Sequence, residues 1–406
     1  MSERTAHGRG GPADAADVLG GLRVAVVHDW LVTRAGAERV LEQILVLFPQ
    51  AEVFTIVDLL DERERAFLHG ATVHTSFLDR LPGWLRRRHR SLLPLMPLAV
   101  EQFDLSGFDL VISSSHAVAK GVITGPQQLH ISYCHSPIRY AWDLQHEYLR
   151  QSGLKGVRSF LARAALHYIR NWDARTANGV DAFVANSRFI AQRVYKVYRR
   201  QASVIHPPVD VDAFSPGAER DDYYLAASRL VPYKRVPLIV EAFAGMLERR
   251  LVVIGDGPDM RRVREAAGPN VEVLGWQPDD VLRDHMRRAR AFIFAAEEDF
   301  GILPVEAQAC GTPVIAYGAG GALETVVDGV TGVHFDRQTV TGVADAVRRF
   351  ERIETTLSAA GIRRNAERFA AATFRERFRG FVSAEWSRWD QARREGSAPA
   401  AIARVA

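Results

Sequence analysis

Glu297-Glu298-Asp299-Phe300-Gly301-Ile302-Leu303-Pro304-Val305-Glu306 is the stretch on which the reading of this chain turns. It directly follows an apolar run, Ala291–Ala296, that reads as a buried strand. Pro304 sits where the next helix should begin, a position that tolerates its missing N–H. Gly311 suits the end of that helix, and Pro313 opens the next apolar run. The segment is therefore a strand–loop–helix junction. It brings unpaired amides and a helix N-terminus to the carboxyl edge of a sheet, where an anion such as a diphosphate is held. Glu298 and Glu306 bracket it with seven residues between them. Dipole complementarity explains an acid at Glu306, but not one at Glu298, which precedes the helix.

Outward from this junction the same alternation repeats. Tyr223–Ala227, Leu251–Ile254, Val271–Leu274, Pro313–Tyr317 and Gly332–Phe335 read as strands, separated by helical patterns. An earlier series comprises Leu22–Val27, Asp109–Ser113, Leu129–Tyr133, Ala182–Asn186 and Ser203–His206. Such alternation predicts an α/β protein with parallel sheets covered on both faces. Two series predict two Rossmann-like domains: 21–206 and 223–373, joined by a linker at 207–222 that opens on Pro207-Pro208. A terminal helix, 374–395, carries Phe374, Phe378, Phe381, Val382 and Trp386 at helical spacing and needs an apolar surface to lie on. Residues 1–20 and 396–406 read as tails. Met1–Asp17 lacks the apolar core of a signal peptide. Asp210 and Asp212, in the linker, read as turn formers.

The composition bounds the function. Of 406 residues, 47% are hydrophobic and 25% charged, as in ordinary globular proteins. No apolar run reaches the ~18 residues of a membrane span. Cys134 and Cys310 lack any Cys-x-x-Cys partner and read as buried small hydrophobes; no zinc-ligand spacing occurs. Residues 1–205 hold 25 Lys and Arg against 19 Asp and Glu; the remainder holds 27 against 29. The positive field of the first half suits an anionic partner, a phosphate-bearing acceptor or a membrane surface; a merely solvated Arg face is the alternative.

A second chemical signal follows the strand Tyr223–Ala227. Arg229-Leu-Val-Pro-Tyr-Lys234 offers a planar fork and a point charge with four residues between them. Only four lysines exist in the chain, at 120, 155, 196 and 234, so a lysine here is a choice against the prevailing Arg usage. Gly275-Trp276-Gln277 follows another strand. In the first half, His28-Asp29-Trp30 follows a strand and Gly36 precedes a helix, where its backbone can approach a phosphate. Ser113–Gly121, with His116, and the phrase His135-Ser-Pro-Ile-Arg139-Tyr140 also follow strands. No Gly-x-Ser-x-Gly elbow marks a hydrolase. Gly255-Asp256-Gly257 lacks the third glycine of a dinucleotide turn, which argues against an oxidoreductase.

Arg229-x4-Lys234, Glu298-x7-Glu306 and Phe-Gly-Ile-Leu-Pro-Val-Glu-Ala-Gln-Ala-Cys-Gly-Thr-Pro-Val-Ile-Ala together resemble family-4 retaining glycosyltransferases of the GT-B fold. The likeness is strongest over 223–330. It implies two Rossmann-like domains facing a cleft, with the last helix crossing back to the first domain. By resemblance, Arg229 and Lys234 hold the donor diphosphate, Glu298 the donor sugar, Glu306 the ribose, and the amides of Gly301, Ile302 and Leu303, beside Phe300, complete the phosphate site. Gly275 and Trp276 seat the base, Gly36 approaches the donor, and His135 lies by the reacting sugar. His28, Asp29, His116, Arg139 and Tyr140 line the acceptor side.

The resemblance implies no metal and no cofactor, and same-face substitution. The His28-Asp29-Trp30, Ser113–Gly121 and His135-Ser-Pro phrases are similar to bacterial mannosyltransferases of polysaccharide and O-antigen assembly. They imply GDP-mannose as donor and a lipid-linked or oligosaccharide acceptor. A UDP- or dTDP-sugar enzyme, or a catalytically dead nucleotide-sugar scaffold, are the other readings, and nucleic acid is not an expected partner. The expected location is cytoplasmic. Arg86–Leu98, a basic cluster before Leu-rich sequence, is a candidate peripheral contact with the inner membrane face.

Overall fold

The computed structural model describes residues 19–217 and 219–396, with only the backbone at 151. Most of the expected tails, 1–18 and 397–406, lie outside the described residues. Leu19, counted within the first tail, is buried.

The chain forms two compact units. The first runs through Asn186 and adds Ile190–Ile205 and the chain from Arg375 onward; the second holds Ser187–Phe189 and His206–Phe374. The first contains a seven-stranded sheet: β1 (Val24–His28), β2 (Glu52–Thr55), β3 (Val73–Thr75), β4 (Leu110–Ser115), β5 (Leu129–Cys134), β6 (Ala182–Ala185) and β7 (Ala202–Val204), ordered β3-β2-β1-β4-β5-β6-β7. The second holds a six-stranded sheet: β8 (Tyr224–Ala227), β9 (Leu251–Ile254), β10 (Val271–Gly275), β11 (Ala291–Phe294), β12 (Val314–Tyr317) and β13 (Gly332–Phe335), ordered β10-β9-β8-β11-β12-β13. Every strand pairing is parallel.

Period-two alternation explains why the central strands read as unbroken apolar runs. In the second sheet, Leu225, Val252, Phe292 and Val314 feed one core. Their neighbours Tyr224, Leu251, Ile293 and Ile315 feed the other. With helices over both faces, each residue needs an apolar side chain whichever way it points. The strands missed from sequence, β2 and β3, are short, and β3 is a half-exposed edge.

Topology locates the functional edges. Successive strands step one way from β8 through β9 to β10, and the chain then jumps to the other side of β8 to lay down β11. The same reversal separates β1 from β4 in the first sheet. Loops after such strand pairs diverge and leave a crevice at the carboxyl edge.

The stretch 207–222 is not a loose tether. Val209, Val211 and Phe214 join the second unit's core. Asp210 accepts from the amide of Ala213 (3.3 Å), which is turn chemistry. The last helix spans Ala371–Arg394, and from Arg375 onward it belongs to the first unit, where Phe378 lies 6.2 Å from the Tyr133 ring.

Candidate functional site

In the second unit, the loops after β8 and β11 carry the predicted cations and acids. The β8 loop is held by glycines from β9. A Cβ on Gly255 would stand 1.8 Å from the Ser228 carbonyl oxygen, and one on Gly257 2.5 Å from that of Leu230. The Leu230 amide donates to the Asp256 carbonyl (2.8 Å), and the Asp259 amide to the Leu230 carbonyl (3.0 Å). This clamp fixes the backbone on which Arg229 stands exposed. A single 3-10 turn, Pro232–Lys234, then presents Lys234. Arg235 ends that turn in the left-handed region at φ 57°, a mild strain for a side-chain-bearing residue.

Lys234 forms an ion pair with Glu298, both largely shielded from solvent. Its ammonium also lies 5.5 Å from the Tyr233 ring and 5.9 Å from the Phe294 ring. The loop bearing Glu298 is backed by Gly320 and Gly321 after β12. The Gly321 amide donates to the Glu298 carbonyl (2.8 Å), and a Cβ there would fall 2.3 Å from Phe300 Cα. Phe300 itself packs inward, edge-on to Phe369 at 5.3 Å, so only its backbone can face a ligand.

Gly301, at φ 84°, turns the chain into helix α1 (Ile302–Ala309). Amides of a helix's first turn have no intrahelical acceptor. Those of Ile302 and Leu303 therefore supply donors at the end of the loop that carries Glu298. Glu306 lies one turn further on and is buried. Trp276 is 72% exposed beyond β10, next to Gly275 at φ 73°, whose carbonyl accepts from the Gly255 amide (2.8 Å).

The first unit gathers histidines at its own crevice. Asp29, after β1, is wholly buried and accepts four amides of the loop after β4: His116 (2.6 Å) and Ala117 (2.9 Å) on one oxygen, Val118 (2.6 Å) and Ala119 (2.7 Å) on the other. His116 Nδ1 adds a 3.0 Å contact. Burial alone would raise the Asp29 carboxyl, but His116 and these hydrogen bonds outweigh it and hold it far below the usual range. Burial likewise opposes the charge on His116, and Asp29 overrides it, so His116 is raised.

A second chain of contacts runs Glu38–His28–Ser114–His135. Glu38 Oε1 is 3.4 Å from His28 Nε2, Ser114 Oγ 3.2 Å from His28 Nδ1 and 2.9 Å from His135 Nε2. Burial, then the charges of His116 and His28, push His135 down to about 3, so it is neutral at pH 7. Burial also pushes both thiols up to about 12, so Cys134 and Cys310 are inert core residues.

The glycosyl transferases group 1 model matches residues 210–369, and the glycosyltransferase family 4 model residues 34–213. The chain belongs to the family-4 glycosyltransferases. Its fold is GT-B-like: Anabaena HepE, solved with UDP, superposes with TM-score 0.64 at 18% identity, over 89% of this chain and 100% of that one. The lipopolysaccharide outer core galactosyltransferase WaaB does so with TM-score 0.61 at 19% identity, over 89% and 99%. At these identities the likeness speaks for fold alone. Among curated relatives, the D-inositol 3-phosphate glycosyltransferase of Geodermatophilus obscurus is 34% identical over 223 residues, 47% of this chain and 49% of that protein. The GDP-mannose-dependent alpha-(1-6)-phosphatidylinositol monomannoside mannosyltransferase of Mycolicibacterium smegmatis is 30% identical over 204 residues, 43% and 53%. The chain thus spans about half the length of the curated relatives it matches.

The remaining residues read from the sequence of this family-4 chain lie in the first unit. His28 and Asp29, expected against an acceptor, are wholly buried, His28 against Ser114 and Glu38 and Asp29 against the 116–119 loop. Arg139 and Tyr140 are half-buried after β5. Gly36 opens the helix Gly36–Leu47, where Glu38 also accepts from the Ala35 amide (2.9 Å). Glu38 lies ten positions from His28, and no local pattern in the sequence signals the contact between them. Gly255, Gly257, Gly320 and Gly321 were missed as supports of the site. Their signal was their place directly after strands. In the segment 86–98, Leu92, Leu93 and Met96 pack on the first unit's core, and Arg86 pairs with Asp79 (3.1 Å).

Proposed function

We propose that this protein is a retaining glycosyltransferase that moves a hexose, mannose from GDP-mannose, to a lipid-linked or oligosaccharide acceptor in cell-surface polysaccharide synthesis. The observation that carries the transferase reading is the Lys234–Glu298 ion pair, which joins the loop after β8 to the loop after β11 that leads into the first turn of α1. As the bond from sugar to diphosphate breaks, negative charge grows on the phosphates and positive charge on the sugar ring. Fixed cations and amides at the phosphates act most strongly on that separated state. Arg229 and Lys234 supply those cations, so the proposed reaction needs no metal. Glu298, released from Lys234 by the incoming diphosphate, is placed for the sugar's hydroxyls, and Glu306 for the ribose. His135, neutral and held by Ser114, is the hydrogen-bonding group on the sugar side.

The choice of GDP-mannose rests on the His28-Asp29-Trp30 and His135-Ser-Pro phrases and on the M. smegmatis mannosyltransferase among the relatives. A UDP- or dTDP-sugar donor is the second reading. A thermal-shift screen of GDP-mannose, UDP-glucose and dTDP-glucose tests both. GDP-mannose should raise Tm most, by mass action on the folded state. A larger shift with a UDP- or dTDP-sugar overturns the mannose assignment, and no shift with any donor overturns the transferase reading.

A further inference from the structure

The longest helix of the first unit's middle, α2 (Gly156–Thr176, 21 residues), has two faces of different character. One is packed: Ile169 joins Ile138 and Ala141 in a small core that Leu166 also touches. The other is bare yet apolar. Val157 is 74% exposed, Phe160 70%, Leu161 59% and Tyr168 49%, with Ala164 exposed between them. Positions 157, 160, 161, 164 and 168 fall on one stripe at helical spacing, about 16 Å long. An amphipathic surface helix should turn polar residues outward; here large apolar groups face outward in a row.

Along the helix and the turn that leads into it the charge is of one sign. From Arg150 to Trp172 the sequence contains Arg150, Lys155, Arg158, Arg163 and Arg170 and not one Asp or Glu. Lys155, Arg158 and Arg163 are exposed. Leu93, which follows the exposed basic residues Arg87, Arg88 and Arg90, packs on the same small core as Leu166, so a second basic segment adjoins the helix. An apolar stripe flanked only by cations complements an anionic phospholipid surface: the stripe enters the headgroup–acyl boundary and the cations meet the phosphates. A protein partner would equally need apolar contact, but the 23-residue absence of acids is what an anionic plane selects.

We propose that α2 docks the protein on an anionic bilayer through Val157, Phe160, Leu161, Ala164 and Tyr168, ringed by Lys155, Arg158 and Arg163. This interaction stands apart from the donor chemistry, and neither fails with the other. Flotation of the full chain with vesicles of phosphatidylcholine alone, or mixed with phosphatidylglycerol, tests it. Two double variants accompany the wild type: Phe160→Glu/Leu161→Glu and Lys155→Glu/Arg158→Glu. All four side chains are exposed, so the fold should hold, and thermal melting checks that it does.

The wild type should float with the anionic vesicles about tenfold more than with neutral ones, and less at high salt. Each variant should lose about tenfold of that binding while its thermal response to donor stays unchanged. A wild type that stays in solution with anionic vesicles overturns the proposal. So does a Phe160→Glu/Leu161→Glu variant that floats as well as the wild type. Light scattering adds one more arm: a wild-type dimer that this variant converts to monomer means that a second copy, not lipid, covers the stripe.

Discussion

The hydroxyl of Ser114 sits 2.9 Å from Nε2 of His135 and 3.2 Å from Nδ1 of His28. Glu38, at the far end, only accepts hydrogen bonds when ionised, so it draws the proton of His28 to Nε2 (3.4 Å). Ser114 has one hydroxyl proton, so it can donate to only one of the two imidazole nitrogens it touches. Ser114 is a positioning residue whose loss frees the His135 tautomer. Ser114→Ala should lower kcat of the proposed transfer by up to about a hundredfold with KM for the donor little changed. Ser114→Thr, which keeps the hydroxyl, should recover part of it. Steady-state kinetics of the two variants check this; equal rates in Ser114→Ala and wild type would exclude the relay.

Lys234 and Glu298 neutralise each other, and the proposed donor exchanges one partner for a diphosphate. Lys234→Ala should cost about 10²–10³ in kcat/KM, the usual loss on removing one donor to a developing anion. Arg229, exposed and making no ion pair among the described residues, should cost less. Glu298→Gln tests the pair itself: it frees Lys234 from its countercharge, so binding of the bare nucleoside diphosphate should strengthen while transfer falls. Isothermal titration and turnover measured on the same samples separate these outcomes.

Gly321 carries a purely steric prediction. Its φ is helical (−65°), so alanine is conformationally easy, yet a Cβ there meets Phe300 Cα at 2.3 Å and the Phe300 carbonyl oxygen at 2.4 Å. Gly321→Ala must push the Glu298–Phe300 loop aside. Donor-induced thermal shift should vanish while the protein still unfolds cooperatively. The same substitution at Gly380, with open space around it, should change neither and serves as the control.

Much of this was legible in the sequence because strand, loop and helix each left a local signature. Pro304 and Gly311 mark one helix, although it begins at Ile302, two residues before Pro304, and all six strands of the second sheet were read. Resemblance supplied the roles of Arg229, Lys234, Glu298 and Glu306. What could not be read is contact between residues far apart in the chain. Asp29 reaches the amides of 116–119, 87 to 90 positions away, and nothing near Asp29 signals a buried acceptor rather than an exposed ligand contact. Phe300 read as part of a binding loop because its neighbours are; its ring turned inward onto Phe369, which lies outside any motif. The α2 stripe hid for the opposite reason: its apolar spacing is that of a buried helix, and only exposure distinguishes the two.

The first unit should lose stability in mild acid. Burial pushes His135 down to about 3 and His130 down to about 4, both below the ~6.5 of an unfolded histidine. Unfolding therefore takes up protons between about pH 4 and 6.5, and these two groups cost nothing above that window. His116 runs the other way. Its value is raised, so its pairing with Asp29 is fully present below ~6.5 and fades as pH rises through the raised value. Asp29, lowered, holds its contribution until pH falls below about 4. Urea melts at pH 7.5 and 5.0 should show lower stability at pH 5.0. His130→Gln should shrink that difference by up to about 1.4 kcal/mol per pH unit, one proton's worth.

Lys120 and Asp173 test how the His116 loop is anchored. The loop that starts at His116 ends on Lys120, whose ammonium is buried against Asp173 and also reaches the Asp173 carbonyl (3.1 Å) and Thr176 Oγ1 (3.3 Å). Asp173 in turn accepts from Trp142 Nε1 (2.7 Å) and the Tyr198 hydroxyl (2.9 Å), so one carboxylate ties the loops after β4 and β5 to helix α2. Removing one partner strands the other charge in the core. Asp173→Ala should therefore cost about 3–5 kcal/mol, and Lys120→Met about as much. Replacing both at once, Lys120→Met with Asp173→Leu, leaves no bare charge and should cost less than the two singles together, although Trp142 and Tyr198 lose their acceptor. Denaturant melts of the four proteins give the coupling directly. A double variant as destabilised as the summed singles would mean that the pair contributes through its hydrogen bonds to Trp142 and Tyr198 and not through its charges.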